Sequence, residues 1–71
     1  MDATERLHSK VIQYAQAEIH SILLGDGEAQ RHFDQLMGML NGYVHCGIIS
    51  QAEADALKGD AEMALSNALR R

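Results

Sequence analysis

The chain has 71 residues, a formal net charge of −4, a hydrophobic fraction of 46%, one cysteine and no proline. So short a chain buries only about 60% of the surface that its unfolded form exposes, so we expect a single domain over residues 1–71 that gains stability as a homodimer. One cysteine excludes an intramolecular disulfide, and a free thiol favours a reducing compartment, here the cytoplasm. Six basic residues against ten acidic ones disfavour nucleic-acid binding, and no apolar run is long enough for a membrane span.

The first predicted helix runs from Ala3 to Leu24. Its apolar residues recur at spacings of three and four, the period of an α-helix. We expect this stripe to face a core, and it comprises Leu7, Val11, Tyr14, Ala15, Ile19, Ile22 and Leu23. Gly25 follows, where a left-handed residue commonly ends a helix, and Asp26 has a side chain suited to capping the next helix.

The second predicted helix runs from Glu28 to Cys46 and has the most regular apolar stripe in the chain. On a helical projection the stripe occupies about a third of the circumference, as expected of a helix packed on a core. Its members are Ala29, Phe33, Leu36, Met37, Leu40, Tyr43 and Val44.

The segment HCGIISQAE predicts the end of one helix and the start of the next. Gly47 stands where a helix ends, and Ile48 and Ile49 are expected to plug the core from a tight turn. Ser50 precedes Glu53 by three residues, which is the spacing of a capping box, in which each side chain bonds to the other residue's backbone N–H.

The third predicted helix runs from Gln51 to Ala68, and its stripe is mostly alanine: Ala54, Leu57, Ala61, Ala64, Leu65 and Ala68. Gly59 interrupts it at a cost of about 1 kcal/mol relative to alanine, so either another backbone approaches there or the helix is marginal. Short connections favour antiparallel neighbours. The sequence therefore predicts an all-α, three-helix domain, in which the third helix packs across a helical hairpin.

Two glycines, Gly38 and Gly42, lie four residues apart in the second helix and share its side opposite the core. Together they cost about 2 kcal/mol by helix propensity. Two explanations remain open: the backbone of a second copy or of another protein approaches them, or they serve packing inside the domain. On the first explanation the partner-binding residues are Arg31, Asp34, Gln35, Gly38, Gly42 and His45.

Reactive and metal-binding chemistry are not predicted. Cys46 lies at a helix C-terminus, where the dipole disfavours a thiolate, and we interpret it as a half-buried structural thiol. The four histidines are twelve or thirteen residues apart, whereas helical ligand pairs need a spacing of four, so no cofactor or metal is expected. Met39, Tyr43 and Cys46 form either an apolar contact for a partner or the edge of the core.

The functional hypothesis is a small cytoplasmic protein-interaction module that acts as an adaptor or inhibitor of a larger protein. Small acidic helical proteins are common among phage and mobile-element products, which adds such an origin to the hypothesis by association. The alternative is a dimeric, nucleic-acid-associated transcriptional regulator. An enzyme is not expected, because no nucleophile has a base at fixed spacing and no phosphate-binding loop is present.

Overall fold

In a computed structural model that describes residues 3–25 and 28–70, the chain forms three α-helices, each packed against the other two. The helices are α1, Ala3–Leu24; α2, Ala29–His45; and α3, Gln51–Leu69. The molecule measures 42 × 18 × 16 Å, as expected of helices lying side by side along one axis. The predicted all-α, three-helix domain is confirmed. None of the helices in the described parts is long and apolar enough to cross a membrane.

Both interhelical turns begin at a glycine in the left-handed region, Gly25 with φ 63° and Gly47 with φ 76°. At the end of α2 the Gly47 N–H donates to the Val44 carbonyl and the Ile48 N–H to the Tyr43 carbonyl, each over 3.0 Å. This pair of bonds is the Schellman motif, which satisfies carbonyls at a helix end. The capping role expected of Asp26 lies outside the described residues.

The predicted capping box at the start of α3 is confirmed. The Glu53 N–H donates to the Ser50 hydroxyl over 3.0 Å, and the Ser50 N–H donates to the Glu53 carboxylate over 2.9 Å. Ile49, directly before the cap, is buried and so is Ala54. The turn between α2 and α3 therefore places an isoleucine in the core, as the sequence predicts.

The core is small and rich in alanine. Three of the four buried residues of α3 are alanines, so this helix presents a flat, thin surface to its neighbours. The largest fully buried side chains are Ile22, Leu36 and Leu40. The buried set is Val11, Ala15, Ile22, Ala29, Leu36, Leu40, Ile49, Ala54, Leu57, Ala61 and Ala64.

One prediction about α1 is wrong. Leu7, Tyr14 and Leu23, which the helical period assigns to the core, are exposed at 45%, 53% and 37%. The two neighbouring helices cover only the narrower arc that contains Val11 and Ala15. The apolar stripe of α1 is therefore wider than the surface that buries it.

Polar side chains join each pair of helices. His8 Nε2 lies 2.6 Å from Glu53 Oε2, between α1 and α3. His32 Nδ1 lies 3.1 Å from Glu18 Oε2, between α2 and α1, and both side chains are largely buried. Between α3 and α2 the ammonium group of Lys58 donates to the Asn41 side-chain oxygen over 2.7 Å. The short turns after α1 and α2 make α2 antiparallel to both of its neighbours, and these contacts join the helices side by side.

Candidate functional site

The predicted partner-binding residues form one solvent-facing surface on α2. All six are exposed: Arg31, Asp34, Gln35, Gly38, Gly42 and His45. Their spacings of three, four and seven keep them on one side of the helix, opposite the buried Leu36 and Leu40. We call this set the α2 outer face.

The two glycines of the α2 outer face adjoin open space. Among the described residues, a methyl group placed on the Cα of Gly38 or of Gly42 meets no atom within 4 Å beyond its own stretch of helix. Packing inside the domain, which the sequence left open as an explanation, therefore does not account for either residue. Gly59 in α3 has the same open surroundings, so in the described part of the chain no other segment's backbone approaches it.

The charged side chains of the α2 outer face make weak contacts along their own helix. Arg31 Nη1 lies 3.5 Å from Glu28 Oε1, with both side chains more than half exposed. The Gln30 amide donates to Asp34 Oδ1 over 3.0 Å, also at the surface. Exposed pairs of this kind contribute about 0.5 kcal/mol or less. Both charged groups can thus exchange these contacts for a partner's at little cost.

Cys46 is exposed, so the interpretation as a half-buried thiol is wrong. It is the C-cap of α2, and its backbone N–H is hydrogen-bonded to the Gly42 carbonyl over 3.0 Å. The Schellman turn directs the chain back toward the core only after this residue, which explains why the thiol stays outside. Within the described ranges, no three His, Cys, Asp or Glu side chains are grouped to hold a metal ion.

Sequence reasoning missed a second exposed surface, on α1. Arg6 and Lys10 line a shallow hollow together with Ala3 and Leu7, and Tyr14 is exposed further along the helix. The signal available in the sequence was the helical projection of α1, on which Leu7 and Tyr14 both fall at one edge of the stripe instead of at its centre.

Comparison with protein-family models, with curated proteins and with solved structures finds no match. The candidate surfaces therefore rest on their own geometry. Two solvent-facing regions are the candidates: the α2 outer face, with its two glycines, and the exposed apolar and basic flank of α1.

Proposed function

We propose that this chain is a small cytoplasmic protein-interaction module, which binds a larger protein through the α2 outer face and thereby blocks or bridges it. A homodimer and a phage or mobile-element origin belong to the same hypothesis. The observation that carries the proposal is the open space around Gly38 and Gly42. The exposed free thiol of Cys46 supports a reducing compartment.

Gly38 and Gly42 lower the stability of the isolated domain. Each mid-helix glycine costs about 1 kcal/mol relative to alanine, and nothing within the domain would obstruct an alanine methyl at either position. The isolated domain would thus gain stability from the substitution. A partner whose backbone lies against Gly38 and Gly42 supplies a reason for the missing side chains, because helix axes approach to about 8 Å only where the contact residues are small.

The surroundings of the glycines suit a reversible interface. Arg31 and Asp34 carry opposite charges, and Gln35 and His45 carry hydrogen-bonding groups. All four are exposed and surround the two glycines. Transient interfaces commonly combine a small close-packed centre with a polar rim. An adaptor or an inhibitor would use such a surface to bind without any chemistry of its own.

Substituting Gly38→Ala and Gly42→Ala together should raise the free energy of unfolding by about 1–2 kcal/mol, measured by urea denaturation, and should weaken association. Association is measured as the solution mass by light scattering and as the proteins co-purified from the native host. Gly59→Ala is the matched control, because Gly59 is also mid-helix and unobstructed but lies on α3. The control should gain stability and keep every association of the wild type.

A double variant that gains stability and loses neither self-association nor any co-purified protein would contradict the proposal. The proposal would also be contradicted if the Gly59→Ala control lost the same associations. The loss would then result from the change in stability and not from the change at the α2 outer face.

A further inference from the structure

The contact between Glu18 and His32 marks the seam between α1 and α2. Their side chains meet at 3.1 Å and are 19% and 24% exposed respectively, so they lie at the boundary where the two helices touch and solvent begins. Because residues four or seven apart on a helix lie on nearly the same side, counting in steps of four and seven from this pair locates other residues along the seam.

The same count brings apolar residues of both helices to this boundary. On α1, Tyr14 and Leu7 precede the pair by four and eleven residues; on α2, Met39 and Cys46 follow it by seven and fourteen. Because the helices are antiparallel, both series run in the same direction from the pair. Tyr43, four residues after Met39, lies on the same flank. We call these five residues the seam strip.

The seam strip is partly open to solvent. Leu7 is 45% exposed and Tyr14 53%, Cys46 is exposed, and Met39 and Tyr43 pack partly against the core. On each helix its ends are seven residues apart, about 10 Å or two turns. A second helix laid along the seam would find a contact surface of that length or slightly more.

The charge beside the seam strip is basic. Arg6 and Lys10 flank Leu7 on α1 and line the hollow there. In the parts of the chain that are described, neither has an acidic partner within ion-pair distance. Since the protein as a whole carries a net charge of −4, this is a local basic site on an acidic molecule.

We propose that the seam strip binds an amphipathic α-helix of a partner protein, and that acidic side chains of this helix pair with Arg6 and Lys10. Apolar residues three, four and seven apart on the partner helix would pack along the strip, the common mode in which a helix binds a groove. Unlike charges at the rim would set the orientation of the helix and speed its encounter. The strip shares no residue with the α2 outer face, so the inference is independent of the proposed function.

The probe for the test is a synthetic helix of about 15 residues, or four turns, with leucine at one helical face and glutamate elsewhere. It is titrated into the ¹⁵N-labelled protein, and chemical shifts are followed by NMR. We expect shifts at Arg6, Lys10 and the seam strip. A peptide with lysine in place of every glutamate should bind at least about tenfold more weakly.

Two variants and a control test the residues. The Arg6→Glu, Lys10→Glu double variant and the Leu7→Ser variant should each weaken binding of the acidic peptide by about tenfold or more. Met63→Ser is the matched control, because Met63 is 68% exposed on α3 and lies away from the seam; it should bind as the wild type does. Helix content from circular dichroism verifies that each variant is folded.

The inference is overturned if the acidic peptide does not bind at about 1 mM, if its shifts lie outside the strip, or if the lysine peptide binds equally well. Two further measurements decide between other occupants. Binding to phosphatidylserine vesicles that the peptide does not displace would assign the surface to a membrane. A wild-type dimer, detected by light scattering, that Leu7→Ser dissociates would assign it to a second copy of the chain. Either result overturns the inference.

Discussion

Glu53 takes part in two structural contacts at once. Its carboxylate accepts the backbone N–H of Ser50 in the capping box of α3 and lies 2.6 Å from the His8 imidazole of α1. The Ser50 backbone hydrogen bond, followed by the bond to His8, lowers the pKa of Glu53 below its ordinary value of 4.5, against an opposing effect of burial. One side chain thus joins the start of α3 to α1.

The lowered pKa of Glu53 makes the free energy of unfolding depend on pH in the acid range. Because the carboxyl has a lower pKa in the folded than in the unfolded chain, its contribution is present above about pH 4.5 and is lost as the pH falls through the folded-state value. In Glu53→Gln, the capping geometry is retained without the charge. The wild type should therefore lose more free energy of unfolding than the variant between neutral pH and pH 3, measured by urea denaturation.

Every other acidic group is common to the two proteins, so the difference between their pH profiles isolates Glu53. Parallel profiles over the whole acid range would show that its contacts make no contribution through charge.

At the scale of the helices, local signals determine the boundaries. The predicted ends differ from the observed ones by a single residue at most, because Gly25, Gly47 and the Ser50–Glu53 capping box act within a turn of the chain and need no tertiary partner. Local signals do not, however, predict how much of the circumference of α1 is buried. Whether Leu7 and Tyr14 are covered depends on how far α2 overlaps this flank of α1, which the residues of α1 alone do not determine.

Alanine in place of Gly47 and alanine in place of Gly38 should change the free energy of unfolding in opposite directions. Gly47→Ala places a Cβ on a residue with φ 76°, which costs about 1–2 kcal/mol. Gly38→Ala, on an unobstructed helical residue of the same helix, should instead gain about 1 kcal/mol. Thermal or urea unfolding of the two variants measures both effects; destabilisation by Gly38→Ala would mean that the helix surface there is not open.

At the scale of the whole molecule, the stability of the alanine-rich core depends on a few large buried side chains. Single cores in chains of this size supply about 3–5 kcal/mol, and Leu→Ala at a fully buried position costs about 2–5 kcal/mol. Leu40→Ala, at a residue with no exposure, should therefore leave the domain largely unfolded at 25 °C. Leu69→Ala, at a leucine that is 67% exposed, should leave its circular dichroism spectrum and urea midpoint nearly unchanged.

If Leu40→Ala remained folded with a cooperative transition, the chain would have a further source of stability. Self-association is the first such source to examine, by light scattering.

The sequence could indicate the α2 outer face because its six residues follow one helical period. It also indicated the α2 side of the seam, in Met39, Tyr43 and Cys46, but not that Leu7 and Tyr14 of α1 lie beside them, because that depends on how the two helices pack.

The alanine surface of α3 has a mechanical consequence. A row of alanines has few protrusions to interlock with a neighbour, so the packing of α3 resists a sliding motion along the helix axis mainly at Leu57 and Leu65. Two polar contacts also restrain the axial position of α3, where Lys58 meets Asn41 and Glu53 meets His8. The register of α3 therefore depends on polar side chains at the surface as well as on the shape of the interior, and removing these polar contacts should let α3 shift along its axis more readily than a helix with a core of large side chains.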